Sequence, residues 1–409
     1  MNHHATEMMT MRNFHRKNIL ASEIDSCTRR LAILALAVGS FAIGTAEFVA
    51  MGLQPEMARS SYVDIPTAGQ YVSAYALGVV IGAPLLAVAT AKFSRKSVLI
   101  GLMFCYALAN IASALFSNFS ILVALRFLSG LPHGIYFGLA TMVAASMVEM
   151  HERSKAVGYV MLGLTIATVL GAPSATWIGQ LVGWQIAFIL VGAIALLCCL
   201  LIWKLLPSTA NISKTSPLRE LCALKQKQVW FLLMMVSIGA SGLFSVFTYI
   251  KSTLMHISSI SLDCIPFIMP LVGLGMVVGN LLGPKFAVKI GISPLIFFSM
   301  LWSTFVFFLF FFFSHAPLTA ALGCFFVGTS FAAMPSIQTK IMDVALHGKI
   351  LAGALMQSAF NIANALGAES GAWVLKLGYS YEYTAVVGGV LTLCGLTVFC
   401  FSWYMEKHN

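Results

Sequence analysis

The chain has 409 residues, of which 59% are apolar and only 9% charged, and its mean hydropathy is +0.90. Soluble domains carry about a quarter charged residues, so this chain lacks the polar side chains to coat a water-facing surface; most of it is solvated by lipid. The net charge of +10 does not point to nucleic acid, because the basic residues are scattered through short loops and not gathered on one face.

A hydrocarbon layer about 30 Å thick is crossed by roughly 20 apolar residues of helix. Such stretches recur over 31–53, 68–90, 97–116, 120–147, 155–181, 185–206, 228–250, 264–284, 294–314, 317–342, 350–375 and 383–404. They are longer than strands and lack the alternation of an outer-membrane barrel, so backbone groups must find partners within helices. The expected fold is an all-α integral membrane bundle of twelve spans. Its parts are an N-terminal tail (1–30), a six-helix half (31–206), a central loop (207–227), a second six-helix half (228–404) and a short tail (405–409).

The first thirty residues include Glu7, Glu23 and Asp25 and contain no apolar core of a signal peptide, so they read as a cytoplasmic tail. With that tail inside, twenty of the 24 Lys and Arg residues fall on the cytoplasmic side, from Arg12, Arg16 and Lys17 through Lys214 in the central loop to Lys407. Only Arg59, Lys251 and Lys376 fall outside and Arg126 lies within a span, an asymmetry that predicts two cytoplasmic termini in an inner (plasma) membrane. The nine cysteines form no CxxC pair and fall mostly inside spans, so neither a disulfide nor a metal site is expected.

Span one carries Glu47 near its outer end, and span four, which returns, carries Arg126 near its start. Both lie about 8 Å from the outer boundary at helical rise and can meet. Charges within a span are costly and mark functional positions. Loss of hydration favours a neutral carboxyl group and a facing guanidinium favours a charged one, so Glu47 is the first candidate for proton coupling, with Arg126 positioning it. A static ion pair is the competing reading. His133, mid-way along span four, is a candidate relay or a packing residue.

The loop after span two, KFSRK, places Lys92, Arg95 and Lys96 where they can pair with acids or helix C-termini and gate the cytoplasmic side, or simply anchor the chain. Span five holds Gly163, Gly171, Pro173 and Gly179, a cluster that permits close helix approach and a bend. In span seven Phe244, Phe247 and Tyr249 interleave with Ser241, Ser245 and Thr248, and with Glu369 of span eleven they are candidates for a substrate cavity. The phenylalanine-rich span nine reads as lipid-facing.

The two halves look like a repeat displaced by about 196–200 positions. GAPLLAVATAKFSRKSVLI from Gly82 corresponds to GNLLGPKFAVKIGISPLI from Gly279, LGAPSATW from Leu170 to LGAESGAW from Leu366, and Gly39 and Gly130 to Gly239 and Gly328. Paired halves of six spans are the organisation of secondary transporters, with the binding site between them near the midplane.

Taken with GTAEFVAMGLQPEMA from Gly44 and RFLSGLPHGIYFG from Arg126, these stretches resemble the major facilitator superfamily, specifically its twelve-span drug:proton antiporters near the arabinose-efflux-permease-like sequences. The resemblance covers Leu31 to Tyr404. It implies that Arg126 matches the span-four arginine linked to proton transfer and that Gly171 and Pro173 match the span-five antiporter motif. The chain departs from the family pattern at Ala91, where an acid is usual, at Ser94, where a glycine is usual, and in reading GAP for a contiguous Gly-Pro. A charge lock through Arg95 therefore needs another acid.

No GxxxxGK[ST] loop is present for a nucleotide, and no HExxH, GxSxG or paired carboxylates for an enzyme. The expected function is proton-driven efflux of a small drug-like, sugar-like or nucleoside-like molecule by a monomer, with the proton gradient as its energy source and no cofactor. Symport or facilitated uptake on the same fold is the alternative.

Overall fold

The computed structural model describes residues 25–207, 217–261, 264–346 and 348–408. The tail residues Arg12, Arg16 and Lys17, the acids Glu7 and Glu23, and Lys214 of the central loop lie outside the described residues. The described chain is nearly all helical, and twelve helices are long and apolar enough to cross a bilayer: α1 (Ser26–Gly52), α2 (Gln70–Thr90), α3 (Arg95–Leu115), α4 (Phe119–Ser146), α5 (Met150–Val182), α6 (Trp184–Leu205), α7 (Lys227–His256), α8 (Phe267–Ile290), α9 (Ile292–Phe313), α10 (Pro317–Val344), α11 (Lys349–Lys376) and α12 (Tyr383–Glu406).

The differences from the sequence reading lie at helix ends. α1 starts at Ser26 because Asp25 caps it, its carboxylate accepting from the backbone N–H of Cys27 at 3.1 Å and Thr28 at 3.4 Å. Residues 26–30 therefore belong to the helix and not to the tail. α8 runs through Pro284 to stop at Gly291, whose φ of 92° favours glycine. Within the expected central loop, Pro217–Leu221 forms a short helix of its own. In α5 a π-helical turn, Ala167–Gly171, precedes Pro173, whose missing N–H cannot bond the preceding turn, so the irregularity expected in span five is present.

The repeat is expressed in packing. Within the first half α2 packs on α4, α1 on α5 and α3 on α6; the second half has α8 on α10, α7 on α11 and α9 on α12. Matching glycines set a close crossing in each: a Cβ on Gly130 would collide with the carbonyl of Tyr75, and one on Gly328 with that of Val272. The halves meet along α4 with α11, and along α2 with α11 and α5 with α8, the last two pairs again related by the repeat.

Span nine is not wholly lipid-facing. Phe298, Phe305 and Phe312 of α9 are exposed, but Phe307 and Phe310 are buried on its other side. Packing against α12 requires an inner face, which a uniformly apolar run does not advertise.

Candidate functional site

α1 and α4 bring Glu47 and Arg126 to the same depth inside the first half, as their counted positions imply. Glu47 retains 8% of its surface and Arg126 1%, so both are enclosed by protein and not by lipid. The guanidinium lies within electrostatic reach of the carboxylate, but no ion pair is closed between them. Instead Nε donates to the Tyr71 carbonyl and Nη2 to the Ala46 carbonyl, each at 3.5 Å, while buried Nη1 has no acceptor among the described residues. A donor is thus left over beside the residue preceding Glu47.

Arg126 is held from its face as well. Its guanidinium stands 4.4 Å from the Tyr75 ring centre and 5.6 Å from that of Phe188. The Tyr75 hydroxyl is 2.9 Å from His133 Nδ1 and 3.5 Å from the Tyr106 hydroxyl, which donates to the Ile43 carbonyl at 3.4 Å. The far nitrogen of His133, Nε2, is buried without a hydrogen-bond partner among the described residues, and the ring also interacts with Gln357 of α11. A polar thread of buried groups therefore runs from Glu47 and Arg126 to the boundary with the second half.

Tyr75 and Tyr106 were not singled out in the sequence. Their signal was a hydroxyl in the middle of an apolar span, which must find a partner when buried.

The four cavity candidates separate. Phe244 is buried against Phe360, ring centres 4.9 Å apart. Tyr249 donates to the Ala368 carbonyl at 2.9 Å, within the second half. Phe247 meets Phe48 of α1 edge-on at 6.4 Å, across the boundary between halves. Glu369 is exposed and pairs with Lys376 at 3.6 Å.

The halves are pinned at the ends of the spans that carry most of the Lys and Arg residues, the basic face. There Arg153 Nη1 is 3.0 Å from Asp343 Oδ1 and Asn280 donates to the Gly158 carbonyl at 2.7 Å, while within the second half Lys349 Nζ is 3.6 Å from the same Asp343 oxygen. Of the loop candidates, Lys92 is exposed and Lys96 donates to the Leu206 carbonyl at 2.6 Å. Arg95 is buried and interacts with Glu220, from the short helix Pro217–Leu221. Glu220 is itself buried and accepts from the backbone N–H of Leu351 in the first turn of α11 at 3.2 Å. The acid missing at Ala91 has a counterpart in the central loop. In α5, a Cβ on Gly171 would collide with Thr45, so α1 and α5 touch there, whereas Pro173 is exposed.

Comparison with known proteins agrees with this architecture. The profile of the Major Facilitator Superfamily matches residues 36–368. The inner membrane transport protein YdhP of Escherichia coli K12 is 35% identical over 366 residues, covering 88% of this chain and 92% of its own length. A probable sugar efflux transporter of Helicobacter pylori HPAG1 is 27% identical, covering 90% and 93%. The solved structure of the proton:xylose symporter XylE superposes with a TM-score of 0.75 at 17% identity, over 91% of this chain and 95% of that one, and shares the fold. The family is one of membrane transporters and not of enzymes, and with two packed six-helix halves and this match along most of its length, the chain belongs to the Major Facilitator Superfamily of small-solute transporters.

Proposed function

We propose that the protein exports a small organic solute across the inner membrane in exchange for protons, with its basic face and both termini in the cytoplasm. The observation that carries this reading is the enclosure of Glu47 beside Arg126 with no closed ion pair between them. A carboxyl group so placed can change its proton when water or solute reaches it, because neither state is locked by a fixed partner. The thread through Tyr75 and His133 to Gln357 supplies the physical connection by which a change at Glu47 can bias contact between α4 and α11.

Closure at the basic face is then one end of an alternating-access cycle. Its partner state opens by parting Arg153 from Asp343 and the short helix from α11. The efflux name of the Helicobacter pylori relative favours outward transport and a sugar-like cargo. A single chain suffices, since both halves of the site are on it.

Reconstituted vesicles of defined orientation test this. A proton gradient directed into the cytoplasmic-equivalent compartment drives solute the opposite way, and Glu47→Gln abolishes that drive while leaving exchange down a solute gradient. Pumping by Glu47→Gln at the wild-type rate removes Glu47 from coupling. Protons and solute moving in the same direction replaces antiport by symport.

A further inference from the structure

A groove of about 720 Å³ runs down the outside of the bundle between α1 and α5, away from the Glu47 cluster. Its floor is the crossing of Ala37 and Gly163, where a Cβ on the glycine would collide with the alanine carbonyl. From Arg30 to Phe41 the groove spans eleven helical steps, about 16 Å at helical rise. That matches one leaflet of a hydrocarbon layer about 30 Å thick.

The two ends of the groove differ in chemistry. Along its length the walls are apolar, with Leu34 and Phe41 on α1 facing Leu162 and Ile166 on α5, and Leu34 is exposed. Its mouth, at the basic face, is lined by Arg29, Arg30, Lys155 and Glu152. Glu152 is matched by Lys155 at 3.5 Å, whereas Arg29 and Arg30 have no ion pair among the described residues. Among the described residues the mouth therefore carries two positive charges with no paired acid, and the exposed Tyr159 stands beside them.

We propose that this groove binds an anionic phospholipid of the basic-face leaflet, its phosphate held by Arg29, Arg30 and Lys155 and one acyl chain lying along α1 and α5. Charge decides the occupant. An apolar slot of leaflet length takes any acyl chain, but two guanidinium groups at headgroup level, with no paired acid among the described residues, select a lipid of net negative charge over a zwitterionic one. Occupancy packs lipid against α5, the helix whose first turns carry Arg153, so the bound lipid belongs with the closed basic face.

The full-length protein in detergent, titrated with phosphatidylglycerol or phosphatidylcholine of identical chains and weighed by native mass spectrometry, tests this. Phosphatidylglycerol is expected to bind at roughly tenfold lower concentration. The triple variant Arg29→Gln, Arg30→Gln, Lys155→Gln, at positions none of which is buried, is expected to lose that preference with an unchanged melting temperature. Equal retention of the two lipids, or a preference that survives the triple substitution, overturns the proposal. In a second measurement, the added fluorescence of Leu34→Trp is quenched by phosphatidylglycerol with brominated chains; no quenching overturns the assigned groove. Retention that appears only after residues 1–22 are removed means that the chain's own N-terminal segment fills the groove, and also overturns it.

Discussion

The guanidinium of Arg126 lies 4.4 Å from the centre of the Tyr75 ring, and the hydroxyl of that ring is 2.9 Å from His133. One tyrosine thus does two separable things: its face holds a buried cation and its hydroxyl holds a buried imidazole. Tyr75→Phe keeps the face and leaves His133 Nδ1 without its partner, costing about 1–3 kcal/mol. Tyr75→Leu loses both and opens space in the core, costing more, with Arg126 free to turn. Thermal unfolding of the two variants in one detergent checks the order, and proton-driven transport should survive better in Tyr75→Phe. Equal losses in the two would mean that the ring face contributes nothing.

Glu47 and Arg126 act on each other through space, so their substitutions should not be additive. Arg126→Gln leaves a buried carboxyl group without its cation, and Glu47→Gln leaves a buried cation without its acid, whereas the double variant leaves neither. The expected coupling in unfolding free energy is roughly 1 kcal/mol, at the low end for residues in contact because no direct hydrogen bond joins them. Strict additivity across the four proteins would show that the two charges do not sense each other.

Glu47 and Arg126 were legible in the sequence because a charge inside an apolar span is rare and helical rise fixes its depth. The spans themselves were legible for the same reason, with errors confined to ends set by local groups such as the Asp25 cap and Gly291. Tyr75 and Tyr106 were not, since an aromatic residue in a span reads as packing until its hydroxyl is seen to have partners. Glu220 was hidden more deeply. It sits in a polar loop with no periodicity, and only the want of an acid at Ala91 hinted that a partner for Arg95 had to come from elsewhere. Phe244 shows the converse: its polar neighbours suggested a cavity wall, but a side chain's direction inside a bundle follows from which neighbour packs on it, here Phe360.

Glu220 joins Arg95 of the first half to the first turn of α11 in the second. Glu220→Gln removes the charge from both contacts while keeping the shape. Closure at the basic face is expected to weaken by about 1–3 kcal/mol, a roughly 5- to 150-fold shift toward the open arrangement. Spin labels at Lys92 and Lys285, exposed and on opposite halves, read this as a longer distance. Asp343→Asn, which removes the half-exposed pairs to Arg153 and Lys349, should give a smaller shift that high salt mimics in the native protein. An unchanged label distance in Glu220→Gln would exclude the short helix from closure.

The repeat makes a paired prediction about glycine. Gly130 and Gly328 occupy matching crossings, where a methyl group would collide with the carbonyl of Tyr75 or of Val272, so Gly130→Ala and Gly328→Ala each force helices apart. Backbone cannot yield as a side-chain tip can, and the overpacking should cost about 1–3 kcal/mol at either site. Gly101, on α3, has nothing within 4 Å of the equivalent position. There Gly101→Ala meets no obstacle and reduces the freedom of the unfolded helix, so stability should hold or rise by up to about 1 kcal/mol. Unfolding temperatures for the three variants decide the matter: destabilisation at Gly101 equal to that at the crossings would mean that close approach between α2 and α4, and between α8 and α10, is not what those two glycines secure.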